Sequence, residues 1–151
     1  MTANGNGSLG HGYYFEDLAV GMEASYAKKI TNDDVLAFAE LSGDVNPVHL
    51  NDAFAAGTVF KQRIAHGFLT ASLISTVLGT KLPGPGCIYL SQSLKFRAPV
   101  FIGDEVVATA KITSLDPEKG RAVLACSCAV NGKPVIDGEA LMMVSRREKQ
   151  A

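Results

Sequence analysis

The stretch Ala65-His66-Gly67-Phe68-Leu69-Thr70-Ala71-Ser72-Leu73-Ile74-Ser75-Thr76-Val77-Leu78-Gly79-Thr80 contains no Asp, Glu, Lys or Arg. Its length suits a helix, and its side chains are apolar or small on nearly every side. The helix it predicts must therefore be covered around most of its circumference. Gly67, Gly79, Lys81 and the interspersed Ser and Thr residues leave the segment short of a membrane span. In a small domain, the arrangement that buries such an element is one central helix with a sheet wrapped around it.

Downstream the period changes. Ile88 to Phe96, Glu105 to Leu115, Ala122 to Val130 and Pro134 to Val144 are rich in β-branched and apolar residues. Turn signals at Pro99, Gly103, Asp116-Pro117 and Asn131-Gly132 separate them. Asn131-Gly132 suits a type I′ hairpin, whose two central residues need positive φ. The four segments are expected to be antiparallel meander neighbours. Upstream, Glu23 to Ile30 alternates as a short strand, and Thr31 with Asp34 opens a helix whose apolar positions Val35, Phe38 and Ala39 recur at helical spacing. Gly43 stops it. Asn46-Pro47 reads as a cap followed by proline at a first helical position, with a short helix running towards Ala56 and ended by Gly57. The fold class these elements predict is α+β.

The chain has 151 residues, 47% of them hydrophobic, enough for one sizeable core and too few for two independent domains. Residues 1–12, rich in Gly, Asn and Ser, read as a disordered tail; a single domain is expected over 13–147 and a C-terminal tail over 148–151. The 14 basic and 15 acidic side chains give a formal net charge of -1, so no overall field recruits nucleic acid or an anionic membrane. A polyanionic ligand would have to be held by a local cluster. Cys87, Cys126 and Cys128 form an odd set, and the last two lie at i and i+2, where strand side chains rarely reach disulfide geometry. A soluble protein of the reducing cytoplasm is expected.

Chemistry is concentrated in Leu41-Ser42-Gly43-Asp44-Val45-Asn46-Pro47-Val48-His49-Leu50. A carboxylate and an imidazole are joined there by a short link stiffened by proline, which can hold both groups against one water. Imidazole titrates nearest neutrality, and a carboxylate beside it can take a proton or orient the ring, so the pair suits general acid and base work. A plainer reading makes Asp44 a helix cap and His49 a surface side chain. Ala65-His66-Gly67 stands directly before the apolar helix, whose first amides lack intrahelical partners and can polarise a carbonyl oxygen. Here the plainer reading is Gly67 as a turn or close-packing residue and His66 as a partly buried, hydrogen-bonded one.

Together, Ser42-Gly43-Asp44-x-Asn46-Pro47-x-His49 and Ala65-His66-Gly67 before the apolar helix resemble the hydratase 2 motif of MaoC-like proteins. The likeness continues through Leu82-Pro83-Gly84-Pro85-Gly86, Ile88 to Phe96 and Pro99 to Glu105, and covers Phe15 to Val144. It is similar to the (R)-specific enoyl-CoA hydratases of fatty acid metabolism that feed polyhydroxyalkanoate synthesis. The resemblance implies a hot-dog fold, a curled antiparallel sheet around one long central helix, working as a homodimer on acyl-CoA. It further implies that Asp44 and His49 bind the catalytic water and that the Gly67 amide contacts the thioester oxygen. Ser75 and Leu78 would border the acyl pocket, although Leu78 suits plain core packing equally well. Asn46 is placed on the substrate side too, while its side-chain oxygen suits a helix cap.

The activity implied is the reversible hydration of short- to medium-chain trans-2-enoyl-CoA to (R)-3-hydroxyacyl-CoA, a hydro-lyase reaction. It calls for no metal and for no cofactor other than the coenzyme A that the substrate carries. Neither nucleic acid nor membrane is expected as a partner. The rivals are a MaoC-like dehydratase acting on carrier-protein-bound or branched acyl groups, a non-catalytic acyl-CoA-binding module, and a hot-dog acyl-CoA thioesterase; the paired Asp44 and His49 argue against the thioesterase. Arg63, Lys95 and Arg97 are candidates for the coenzyme A phosphates or ordinary surface charges.

Overall fold

The computed structural model describes residues 10–147. A 3-10 turn, Phe15–Asp17, precedes strand β1 (Glu23–Lys29) and helix α1 (Asn32–Ser42). Two short helices, α2 (Pro47–Leu50) and α3 (Asp52–Ala56), lead to the long helix α4 (Gly67–Thr80). Five strands follow: β2 (Ile88–Gln92), β3 (Lys95–Phe96), β4 (Glu105–Asp116), β5 (Arg121–Val130) and β6 (Lys133–Met143). They form one antiparallel sheet in the order β1-β4-β5-β6-β2, with β3 also on β6, and α4 packs against β1, β4 and β5.

Packing explains why the sheet accepts a helix on its face. Leu73, Ile74, Val77 and Leu78 of α4 are buried against Val106, Ala108, Ala110 and Ile112 of β4 and Ala122 and Leu124 of β5. Each large side chain so buried contributes about 1.5–3 kcal/mol. The alanines opposite keep the sheet surface low enough for the helix to approach. In β4 the burial alternates along the strand, the period-2 signature of a half-covered sheet.

The capping signals act as the sequence predicts. Thr31 Oγ1 accepts from the Asp34 amide at 3.1 Å, and Asp34 Oδ2 accepts from the Thr31 amide at 2.9 Å. Gly43 closes α1 at φ 80°. Asn131 (φ 51°) and Gly132 (φ 78°) both take the positive φ that the β5–β6 hairpin requires.

Four expectations need correction. The meander comprises only β4-β5-β6, because β2 crosses to the far side of β6. The strand expected from Ile88 to Phe96 breaks at Ser93-Leu94, where the Ser93 amide donates to the Glu139 carbonyl (2.9 Å) and Ser93 Oγ accepts from the Glu139 amide (3.0 Å). The helix expected to run to Ala56 splits at Asn51, whose extended backbone leaves α2 and whose Oδ1 caps α3 by accepting from the Phe54 amide at 2.8 Å. Nor is α4 covered on most sides: Phe68, Ser72, Ser75 and Gly79 line one exposed face. Of the expected tails, residues 1–9 and 148–151 lie outside the described residues. Gly12 and Tyr13 already donate to the carbonyls of Pro85 (2.7 Å) and Pro83 (2.8 Å). No helix among the described residues is long and apolar enough to cross a membrane.

Candidate active site

The motif loop builds itself by a repeated local device. Ser42 Oγ accepts from the Asp44 amide (3.1 Å), Asp44 Oδ1 from the Asn46 amide (3.2 Å) and Asn46 Oδ1 from the Val48 amide (3.1 Å). Each polar side chain thus turns the chain two residues ahead, the bond that Ser, Asp and Asn make best in non-helical backbone. Ser42 Oγ also donates to the Phe38 carbonyl at 2.6 Å, which anchors the ladder to α1. Pro47 then starts α2 and delivers His49 one turn later.

His49 is buried, 8% exposed, and its Nδ1 lies 2.7 Å from the Ile64 carbonyl. A carbonyl only accepts, so Nδ1 carries the proton and Nε2 keeps the lone pair a base needs. Burial is the main cause holding the imidazole below its ordinary value of 6.5. The nearby His66 adds to that lowering, while the Ile64 carbonyl and Asp44 oppose it. The neutral ring is therefore favoured near neutral pH.

His66 packs against His49 with ring centroids 4.0 Å apart and planes tilted by 31°, and it donates from Nε2 to the Asp44 main-chain carbonyl at 2.9 Å. Phe38 holds its other flank at 4.8 Å. Asp44, His49 and His66 place ligand-capable atoms within 4.8 Å of one another, close enough for one water to reach more than one of them. His66 is thus the buried, hydrogen-bonded side chain of the plainer reading, and the bond it makes ties the head of α4 to the motif loop.

A cavity of about 370 Å³ opens beside this cluster, lined by His49, Gly67, Thr70, Phe96, Val100 and Ile136 among others. It brings together two sequence candidates far apart in the chain, His49 and Gly67. Asp44 stands next to His49 and is exposed. Gly67 heads α4 beneath the Phe96 ring; a β-carbon at Gly67 would come within 2.7 Å of the ring's Cε1. The three helices upstream are capped by Thr31, Asn46 and Asn51, but α4 has no side-chain cap, so its leading amides are left for another acceptor.

Of the other candidates, Arg97 lines this cavity and the rest lie apart from it. Ser75 is exposed, Leu78 is fully buried in the core, and neither lines the cavity. Asn46 is exposed and caps α2. Arg63 is spent on structure: its Nε donates to the His49 carbonyl and its Nη2 to Asn32 Oδ1, both at 2.7 Å. Arg97 pairs with Asp137, and Lys95 is exposed. Burial pushes the Cys126 and Cys128 thiols up to about 11 and about 12, so neither is a nucleophile at neutral pH.

A helix with an open N-terminus and an imidazole meet at one largely apolar cavity, with a carboxylate beside the imidazole, on a hot-dog scaffold. Residues 18–125 match the MaoC like domain, and the chain belongs to that family. It is 56% identical over 135 residues to an (R)-specific enoyl-CoA hydratase of Rhodospirillum rubrum, covering 89% of this chain and 94% of that protein. It is 55% identical over 136 residues to a 3-hydroxybutyryl-CoA dehydratase of Methylorubrum extorquens, covering 90% and 87%. Among solved structures, the (R)-hydratase from A. caviae involved in PHA biosynthesis superposes with a TM-score of 0.83 at 46% identity, over 85% of this chain and 98% of that one.

Proposed function

We propose that this protein hydrates trans-2-enoyl-CoA of short to medium chain length to (R)-3-hydroxyacyl-CoA and catalyses the reverse dehydration. The carrying observation is the uncapped head of α4 opening on the same cavity as His49, with Asp44 beside it. Asp44 and His49 hold one water. One of them removes its proton as the oxygen bonds to C3, and the electrons of the double bond shift towards the thioester. The charge that develops on the thioester oxygen is met by the Gly67 amide and the positive end of α4, and a proton returned to C2 completes the product. Hydration balances without a redox or metal step, and coenzyme A enters as part of the substrate. Asn46, Ser75 and Leu78 are assigned to the substrate side by their likeness to the family motif.

The protein acts as a homodimer in the cytoplasm in this reading. Phe68, Ile88, Tyr89, Leu90 and Phe96 are exposed apolar side chains on α4, β2 and β3. The strand β2 has β6 on one side and no partner on the other among the described residues. An unpaired edge beside an apolar face is the surface that a second copy covers. Incubation of the protein with crotonyl-CoA tests the activity. Loss of enone absorbance with formation of the (R)-3-hydroxy product is expected; release of free thiol would instead mean hydrolysis, and the (S) product would refute the stereochemistry.

A further inference from the structure

Of the five hydroxyl-bearing residues of α4, Ser75 is exposed to water, three bond to the helix itself, and Thr70 does neither. Ser72 donates to the Leu69 carbonyl (2.6 Å), Thr76 to the Ser72 carbonyl (3.4 Å) and Thr80 to the Thr76 carbonyl (2.6 Å), the usual way a helical hydroxyl satisfies itself on the preceding turn. Those three lie on the outer, more accessible side of the helix, where water would serve them in any case. Thr70 faces the core at 1% exposure, where an unmade hydrogen bond is most costly, and its Oγ1 has no partner. The carbonyl four residues back, that of His66, accepts only the Thr70 amide, at 3.2 Å. Thr70 lines the cavity that holds His49 and Gly67.

We propose that the Thr70 hydroxyl is reserved for the substrate, as a second donor to the thioester oxygen addressed by the Gly67 amide. Thr70 lies one turn beyond Gly67 on the same side of α4, and helical side chains lean back towards the N-terminus, so its hydroxyl is directed at the region the leading amides face. In an enoyl group, the thioester oxygen is the one strong acceptor; the remainder is hydrocarbon, matched by the cavity's Phe96, Val100 and Ile136. The water added at C3 has its own partners in Asp44 and His49. A donor aimed at the thioester oxygen strengthens as that oxygen gains charge, so its loss falls on kcat more than on KM.

This inference rests on the hydratase reading, and the test separates the two. Thr70→Val keeps the shape and removes the hydroxyl; Thr70→Ser keeps the hydroxyl. With crotonyl-CoA, Thr70→Val should lower kcat by about 10²-fold, the scale of losing one oxyanion donor, with a smaller change in KM, and Thr70→Ser should restore most of the rate. Tm of Thr70→Val should be unchanged or raised, because a partnerless hydroxyl gives the folded state nothing. Opposite signs on activity and stability are the signature of a group held for a ligand. Wild-type kcat in Thr70→Val overturns the inference and leaves the hydratase reading intact. A lowered Tm in Thr70→Val also overturns it, since the hydroxyl would then be a structural partner. A wild-type protein that does not hydrate crotonyl-CoA removes both readings.

Discussion

The two ends of α4 are built on opposite principles. At its head, His66 supplies no side-chain cap, Gly67 has no side chain, and the Thr70 hydroxyl has no partner. At its tail everything is used: Thr80 bonds the preceding turn, Lys81 and Leu82 both donate to the Val77 carbonyl (3.0 and 2.9 Å), and Gly84 donates to that of Leu78 at 2.9 Å. Leu78 itself is 0% exposed. One helix therefore does two jobs, its tail securing the sheet and its head leaving polar groups free to meet a ligand. Mutations at the two ends should separate activity from stability.

The largest effect is expected at the loop that faces the head. Asp44→Asn and His49→Gln should each lower kcat for enoyl-CoA hydration by about 10²-fold or more while circular dichroism is unchanged, because each removes a proton acceptor without removing volume. Near wild-type turnover in either variant would take that residue out of the acid and base pair. It would also erase the functional contrast between the head and tail of α4.

At the tail the sign of the experiment reverses. Leu78→Ala should cost about 2–5 kcal/mol of stability in a denaturant titration, the range for deleting a buried leucine side chain. Its assignment to the acyl site adds a second expectation, a rise in kcat/KM for eight-carbon over four-carbon enoyl-CoA worth about 1–3 kcal/mol at most. Lost stability with an unchanged chain-length ratio would make Leu78 a core residue alone. Full stability would overturn the tail's structural role.

The same division marks what the sequence could reveal. Asp44 and His49 could be singled out as candidates because a carboxylate and an imidazole stand at short spacing, Gly67 through its place in the family motif, and Thr31, Gly43 and Asn131-Gly132 were legible because caps and turns are local. Strand segments could be read from composition, but the order β6-β2 could not, since pairing across the sheet leaves no mark in either strand alone. The open face of α4 was hidden for a related reason: Phe68 is as apolar as any core residue, and residue type alone does not disclose that it is exposed. Arg63 could be read as a phosphate candidate or a surface charge, because its sequence neighbourhood does not disclose that it holds the His49 carbonyl. Thr70 looked like its neighbours Thr76 and Thr80. Only the hydrogen-bond inventory of the folded helix sets it apart.

The smallest expected effect concerns pH, and it sharpens the contrast from the head's side. Chiefly through burial, His49 is held below its ordinary value of 6.5, so the folded protein binds fewer protons than the unfolded chain at pH values just under 6.5. Above 6.5 the ring is neutral in both states and stability is independent of its titration. As pH falls below 6.5 the unfolded chain protonates first, and stability declines until the folded ring also takes its proton. A single group cannot contribute a slope steeper than about 1.4 kcal/mol per pH unit in that window. His49→Gln should remove that part of the acid slope, whereas Leu78→Ala should lower stability by the same amount at every pH. The acid limb of kcat/KM for the wild type should fall below pH 6.5, because the free enzyme needs the neutral ring. An acid limb above 6.5 would mean that the Asp44 carboxylate outweighs burial and holds the ring above its ordinary value.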